Sequence, residues 1–309
     1  MVERPRRLNG RGQERRPSSA SRSTILIRRL VALALLCGGI ALAVWLVSAA
    51  VDRDGGNSQA KIAPAKLTVL KIVFPEGFTR KQMARRITAV DRIAKRKRRV
   101  DPVLSEQGYL NATASSLVPA RYAGDRKRRM LEGFLFPAVY EFLANTPTRV
   151  LVDDQLDAFR RNWRKVGLRY ARSKNLTAYD VLIIASMIEA EVVVPRERAL
   201  VAAVIYNRLR ARMPLGIDAT IRYALDVPPT KSLTKAQLRH RTPYNTRIHQ
   251  GLPPTPISNP GLASMRAAAH PANVDYLYFV RKRDKKHHFF TASYEEFLAY
   301  LRENGYPTP

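Results

Sequence analysis

The sequence predicts an α+β protein with an N-terminal transmembrane helix, a small α+β module and a larger mixed α+β domain. Three observations carry that expectation. An uncharged apolar run fills residues 30–51, a strand–turn–helix pattern starts at residue 67, and helical and strand patterns alternate with proline-rich loops over 126–309. The chain has 309 residues, 46% of them hydrophobic, enough for a real core.

The run LVALALLCGGIALAVWLVSAAV forms about 33 Å of helix at about 1.5 Å per residue, sufficient for a hydrocarbon core of about 30 Å. A signal peptide would have a shorter apolar stretch and a better small-residue cleavage site than Ser48, Ala49 and Ala50 offer. The only cysteine, Cys37, follows Leu36 where lipoprotein processing wants a small residue, and alone it cannot form an intrachain disulfide. Residues 1–29 carry nine arginines against Glu3 and Glu14. The positive-inside rule places this basic arm in the cytoplasm and residues 52–309 outside, anchored to the cell membrane by a single pass. Most of the formal net charge of +29 then faces away from the cell's nucleic acid. Anionic polymers or lipid headgroups are the expected partners, and nucleic acid is not.

Residues 52–66 are polar and turn-forming and read as a linker. LTVLKIVFPEGFT (67–79) alternates and then turns at Pro75-Glu76-Gly77, and a helical pattern follows from Arg80 to Arg99. These elements define a module over 67–125, with Lys95–Arg99 as a solvated helix face. In the domain over 126–309, a helix from Val150 to Tyr170 places Phe159 and Trp163 in the core. Thr177 caps the helix DVLIIASMIEAEV, and Pro195 opens the next one. From Met213 the loops are long enough to suggest function. A further helix runs from near Gly261 to before Pro271, and DYLYFV (275–280) reads as a buried strand with HHFFTAS as its hairpin partner.

No GxSxG surrounds any serine, and the cysteine lies in the apolar run, so acyl transfer by a serine or cysteine nucleophile has no support. The five histidines show no HExxH spacing, and no phosphate-cradling loop occurs, so no metal or cofactor is expected. What remains are carboxylates in apolar surroundings. Glu189 and Glu191 interrupt VLIIASMIEAEVVV and lie roughly 200° apart at about 100° per residue, so they cannot point into one cleft. A carboxyl embedded in this way resists ionisation and suits a general acid. Periodicity does not choose between the two, and a helix-end glutamate paired with Arg196 or Arg198 is the other reading.

Four blocks together resemble the endolytic murein transglycosylase family (MltG, or YceG-like). They are LEGFLFPAVYEF (131–142), ASMIEAE (185–191), IYNRLRARMPLGIDATIRYAL (205–225) and TPYNTRIHQGLPPTPISNPGLASMRAAAHPANVDYLYFV (242–280). The resemblance implies a type II membrane anchor, a LysM-like module and a catalytic domain. It makes Glu189, in ASMIE, the catalytic acid and base. Asp218, Asn245, Thr246, Gly251, Pro253 and Pro254 fall in the family's cleft-lining motifs. Loop shape is the competing role for the glycine and prolines, and a cap or turn for Asp218. Glu132 either positions the cleft or pairs with an arginine, and His288 matches an HxF position where a structural hydrogen bond is expected. Ala138, Val139, Gly216, Ile217, Ala219, Arg247 and Phe297 depart from the family's usual residues without touching Glu189.

The resemblance further implies a lytic cut between N-acetylmuramic acid and N-acetylglucosamine in peptidoglycan strands, closing an anhydro ring on the muramic acid. Peptidoglycan synthases are the partners this would suggest. A hydrolase using Glu189 with Asp218, or a non-catalytic envelope scaffold that binds wall polymer, are the alternatives.

Overall fold

The computed structural model describes residues 68–117, 122 and 127–307. The expected basic arm, membrane helix and linker lie outside the described residues. Among the described residues no helix is long and apolar enough to cross a membrane. The architecture is mixed α+β, with two-stranded antiparallel ribbons set among helices.

Strand β1 (Leu70–Val73) alternates as expected, burying Leu70 and Ile72 and exposing Lys71 and Val73. The chain then turns through Gly77, whose φ of +79° is the left-handed conformation that favours glycine. Thr79 caps α1 (Arg80–Ile93) in a capping box with Gln82. A π-helical turn, Ala94–Arg98, extends α1; Ala94 is buried and the basic run Lys95–Arg99 is exposed. Helix α2 (Glu106–Ala114) packs on α1. A minimal ribbon joins β2 (Ser116–Leu117) to β3 (Arg128–Arg129). The partner of β1 is β4 (Val139–Phe142), with Ile72 opposite Tyr140. The first ribbon therefore takes its second strand from beyond residue 125.

Helix α3 (Thr148–Trp163) buries Phe159 and Trp163, which stack on each other at 5.4 Å, while Phe134 meets Phe159 edge-on at 5.0 Å. After the short α4 (Arg169–Ser173) comes the central helix α5 (Ala178–Glu191). Thr177 and Asp180 form its capping box. Every residue from Ala178 to Ile188 except Asp180 is buried, because other elements enclose the helix on all sides. Pro195 opens a 3₁₀ turn, Pro195–Glu197, that leads into α6 (Arg198–Arg210). Helices α7 (Asp218–Leu225) and α8 (Lys235–Leu238) interrupt the long loops. Helix α9 (Leu262–Ala269), with Gly261 as its N-cap, packs along α5. The hairpin forms between β5 (Tyr278–Arg281) and β6 (His288–Thr291). Strand β5 begins later than the sequence pattern suggests and is half-buried, since only these four residues find partners in β6. Helix α10 (Tyr294–Glu303) covers the hairpin, with Phe297 stacked on Tyr278.

One buried node ties the N-terminal elements to the rest. The Gly77 N–H donates to Asn259 O (3.0 Å), and the Asn259 N–H donates to Phe78 O (2.9 Å). The Asn259 side chain donates to Glu132 Oε1 (2.8 Å) and Phe78 O (2.9 Å), and its Oδ1 accepts from the Leu135 N–H (3.0 Å). Glu132 also accepts from the Arg80 N–H (2.9 Å) and the Tyr223 hydroxyl (3.2 Å). Gly133 lets this loop approach closely, because a Cβ there would meet Pro256 at 2.7 Å. An Asn259→Ala variant leaves the buried Leu135 N–H without its partner and takes one of three hydrogen bonds from the Glu132 carboxyl, so a loss of about 2–4 kcal/mol is expected. Urea unfolding measures it; a change below about 0.5 kcal/mol would show that the node is not holding the junction.

Candidate active site

The last turns of α5 are stitched to the loop that precedes α9. Ser186 Oγ donates to Ile183 O (2.7 Å) and accepts from the Ile257 N–H (3.0 Å). Ser258 Oγ returns a bond to Ser186 O (3.0 Å). One helical turn further on, this register brings Gly261 to Glu189, and the Gly261 N–H donates to Glu189 Oε2 (3.0 Å). A carboxylate at the start of a helix meets unpaired N–H groups and the positive end of the helix dipole. The Gly77 turn lies over the side-chain stem, with the position of a Cβ on Gly77 only 3.6 Å from Glu189 Cγ. Glu189 is half-buried at this three-way junction. Neither Arg196 nor Arg198 forms an ion pair with it among the described residues.

Glu191 faces the other way, as the helical geometry requires. It lines a cavity of about 860 Å³ together with Asp218, Arg247, Arg281 and Tyr278, and Glu189 is not among the lining residues. Arg281 approaches Glu191 Oε2 at 3.4 Å. Burial pushes the Glu191 carboxyl up to about 7, and Arg281 opposes that shift. Glu132 is also pushed up to about 7 by burial, against the Arg80 N–H and the Tyr223 hydroxyl, which favour the ionised form.

The remaining sequence-predicted residues separate into those that line space and those that hold loops. Asp218 opens α7 and pairs with Arg247 Nε at 2.7 Å, on the Glu191 side of α5. Arg247, a departure from the family's usual residue, thus occupies Asp218. Asn245 is fully buried and donates to Leu238 O and His240 O, both at 3.0 Å. Thr246 is buried too, and its hydroxyl accepts from the Ile217 N–H (3.0 Å) and meets Thr220 Oγ1 at 3.2 Å. Thr246 thus fixes the 216–220 turn from within, while Asn245 holds the 238–247 loop together. Gly251 adopts φ +84° with open space where a Cβ would stand, so backbone conformation accounts for the glycine. Pro253 is buried and Pro254 exposed. His288 is buried, with Nδ1 bonded to Glu197 Oε2 at 2.7 Å, the structural hydrogen bond expected for it.

The structure does not bring Asp218 together with Glu189. It brings to Glu189 two residues that the motifs did not single out, Gly261 and Glu76. Glu76 appeared in the sequence only as the middle of a turn, and nothing in its spacing from Glu189 signals the approach. Asn259 lay inside a matched block, but its polar side chain in a proline-rich loop reads as an ordinary turn residue.

With this geometry in place, comparison with known proteins is informative. The YceG-like family model matches residues 56–303. The chain belongs to the YceG-like family. Among relatives of this YceG-like chain, a Bacillus subtilis protein named endolytic murein transglycosylase is 39% identical over 155 residues, covering 49% of this chain and 42% of the relative. A Streptococcus pneumoniae protein of the same name is 30% identical over 243 residues, covering 74% of this chain and 42% of the relative. The match thus spans less than half the length of these curated relatives. The crystal structure of a yceG-like protein from Listeria monocytogenes superposes with a TM-score of 0.61 at 30% identity, covering 75% of this chain and 76% of that one.

The raised carboxyls make stability depend on pH. Glu132 and Glu191 keep their protons to about 7 in the folded chain, against an ordinary value of 4.5. Between those values the folded state binds more protons than the unfolded state, so their contribution is complete below about 4.5 and is lost as pH rises through about 7. Glu132→Gln should therefore flatten the decline of melting temperature between about pH 5 and pH 8. A slope unchanged from the wild type in that window would refute the assignment.

Proposed function

We propose that this chain is a membrane-anchored endolytic lytic transglycosylase. In this reading it cuts bonds between N-acetylmuramic acid and N-acetylglucosamine in peptidoglycan strands, with Glu189 as acid and base. The observation that carries the reading is the setting of Glu189. Its carboxyl ends a buried helix, is held by one backbone N–H, and keeps its other oxygen free of hydrogen bonds among the described residues. The activity named for the relatives supports the transglycosylase reading.

Protonated Glu189 gives its proton to the glycosidic oxygen, the bond from muramic C1 breaks, and the acetylglucosamine hydroxyl departs. The 6-hydroxyl of the same muramic acid then bonds to C1 while Glu189 takes its proton. One carboxyl serves both steps, because the nucleophile is already on the substrate at high effective molarity. Glycosidases that admit water or form a covalent intermediate need a second carboxyl group. The N-terminal elements act as a LysM-like module in this reading. The apolar run at 30–51 anchors the chain with its N-terminus in the cytoplasm, and the tether keeps the enzyme near nascent strands and the synthases that make them.

A second reading places the acid at Glu191. It is favoured by the cavity of about 860 Å³ and by the carboxyl that burial lifts to about 7 beside Asp218. Glu189→Gln and Glu191→Gln separate the two readings. We expect Glu189→Gln to cut strand cleavage by at least about a thousandfold, on the scale of losing a general acid. Glu191→Gln should retain most activity. The reverse pattern would move the acid to Glu191. Mass spectrometry of wild-type products should find anhydro-muramic ends, and reducing muramic ends would make the enzyme a hydrolase.

A further inference from the structure

We propose that Glu76, carried by the turn between β1 and α1, is a positioning residue that pairs with Glu189 at Gly261, the two carboxyls sharing one proton. The proposal rests on the reading of Glu189 as the acid. Glu76 has no structural task that competes with this role. Its carboxylate makes no hydrogen bond or ion pair among the described residues, although its turn is firmly held. Gly77 beside it takes the left-handed conformation and bonds to Asn259 O at 3.0 Å, so the base of the Glu76 side chain is fixed.

The end of that side chain lies on Gly261, the same residue whose N–H holds Glu189. A Cβ built on Gly261 would overlap Oε1 and Cδ of Glu76. The backbone of Gly261, at φ −76° and ψ 171°, suits any residue. Conformation therefore does not call for glycine here. The space a side chain would need is filled by the Glu76 carboxylate. Two carboxylates consequently meet at one glycine, one on its N–H and the other against its α-carbon.

The charges around the pair come from three elements. Glu189 belongs to α5, Arg198 stands at the start of α6, and the Gly261 N–H at the start of α9 donates to Glu189. Partial burial and the charge of Glu189 both raise the Glu76 pKa, while Arg198 lowers it. Arg198 is turned toward Ser264, to which its Nε donates at 3.2 Å, and it forms no ion pair with either glutamate among the described residues. Two adjoining carboxylates with one unpaired cation nearby resist ionising together, so the pair as a unit holds one proton to higher pH than a lone glutamate does. A shared proton of this kind is what the lytic reaction would draw on at its first step.

The test uses the full chain and uncross-linked glycan strands, with rates followed across pH. Glu76→Gln should lower kcat roughly tenfold with KM within about twofold, and should move the alkaline limb of the rate profile to lower pH by roughly one unit. Glu76→Asp, which keeps the charge, should restore the limb. A wild-type limb in Glu76→Gln would overturn the pairing. Gly261→Ala offers an independent check, because the added methyl displaces a flexible side-chain end and not backbone. Its loss of activity should vanish when Glu76 is already alanine, and fully additive losses would count against the pair. Glu189→Gln in the same series separates the two ideas. Full activity in that variant would sink the reading of Glu189. An inactive Glu189→Gln beside a wild-type Glu76→Gln would sink the pairing alone.

Discussion

The buried amide of Asn259 makes hydrogen bonds to two separate stretches of chain, and the geometry around Glu189 depends on them. Its partners are Glu132, Leu135 and Phe78, and its own backbone completes the link to Gly77. Such a network tolerates little slack. Inside a protein a satisfied polar group is strongly held, and an unsatisfied one is costly. An apolar contact of equal size would hold the elements together but would let them slide. Directional bonds fix the register, and a shift of one ångström at the Gly77 turn would reach Glu189 directly.

The central helix places two glutamates in different surroundings only two residues apart. On one side Glu189 meets a helix start and a turn. On the other, Glu191 faces a large cavity beside an arginine and an aspartate. Residue type is the same in both places, so environment alone sets their chemistry. Burial favours the neutral form of Glu191, whereas the backbone N–H of Gly261 fixes the position of Glu189.

The long proline-rich loops also divide their work. Asn245 and Thr246 are turned inward, where their side chains replace missing backbone partners, Asn245 within its own loop and Thr246 at the turn that starts α7. A loop without regular structure must still satisfy its buried polar groups, and these residues do so. Asp218, at the surface of that turn, is left facing the cavity with Arg247.

Much was legible before any coordinates. Capping residues announced α5 through Thr177, alternation announced β1, proline marked the entry to α6, and the paired apolar runs near the C-terminus marked the hairpin. These signals are local, because a cap or an alternating pattern acts within a few residues of chain. The matched blocks pointed to Glu189 and to the loops around it. Helical geometry also required Glu189 and Glu191 to diverge, and they do. Only the tertiary structure decided what each would meet. Glu76 and Glu189 are separated by more than a hundred residues, and Asp218 falls to the cavity of Glu191 because the 245–247 loop folds against α7 there. Contacts between distant segments follow from how whole elements pack, and no spacing along the chain encodes them. The sequence by itself determined the helix, the two glutamates and their opposite directions; packing decided which neighbours give each one its chemistry.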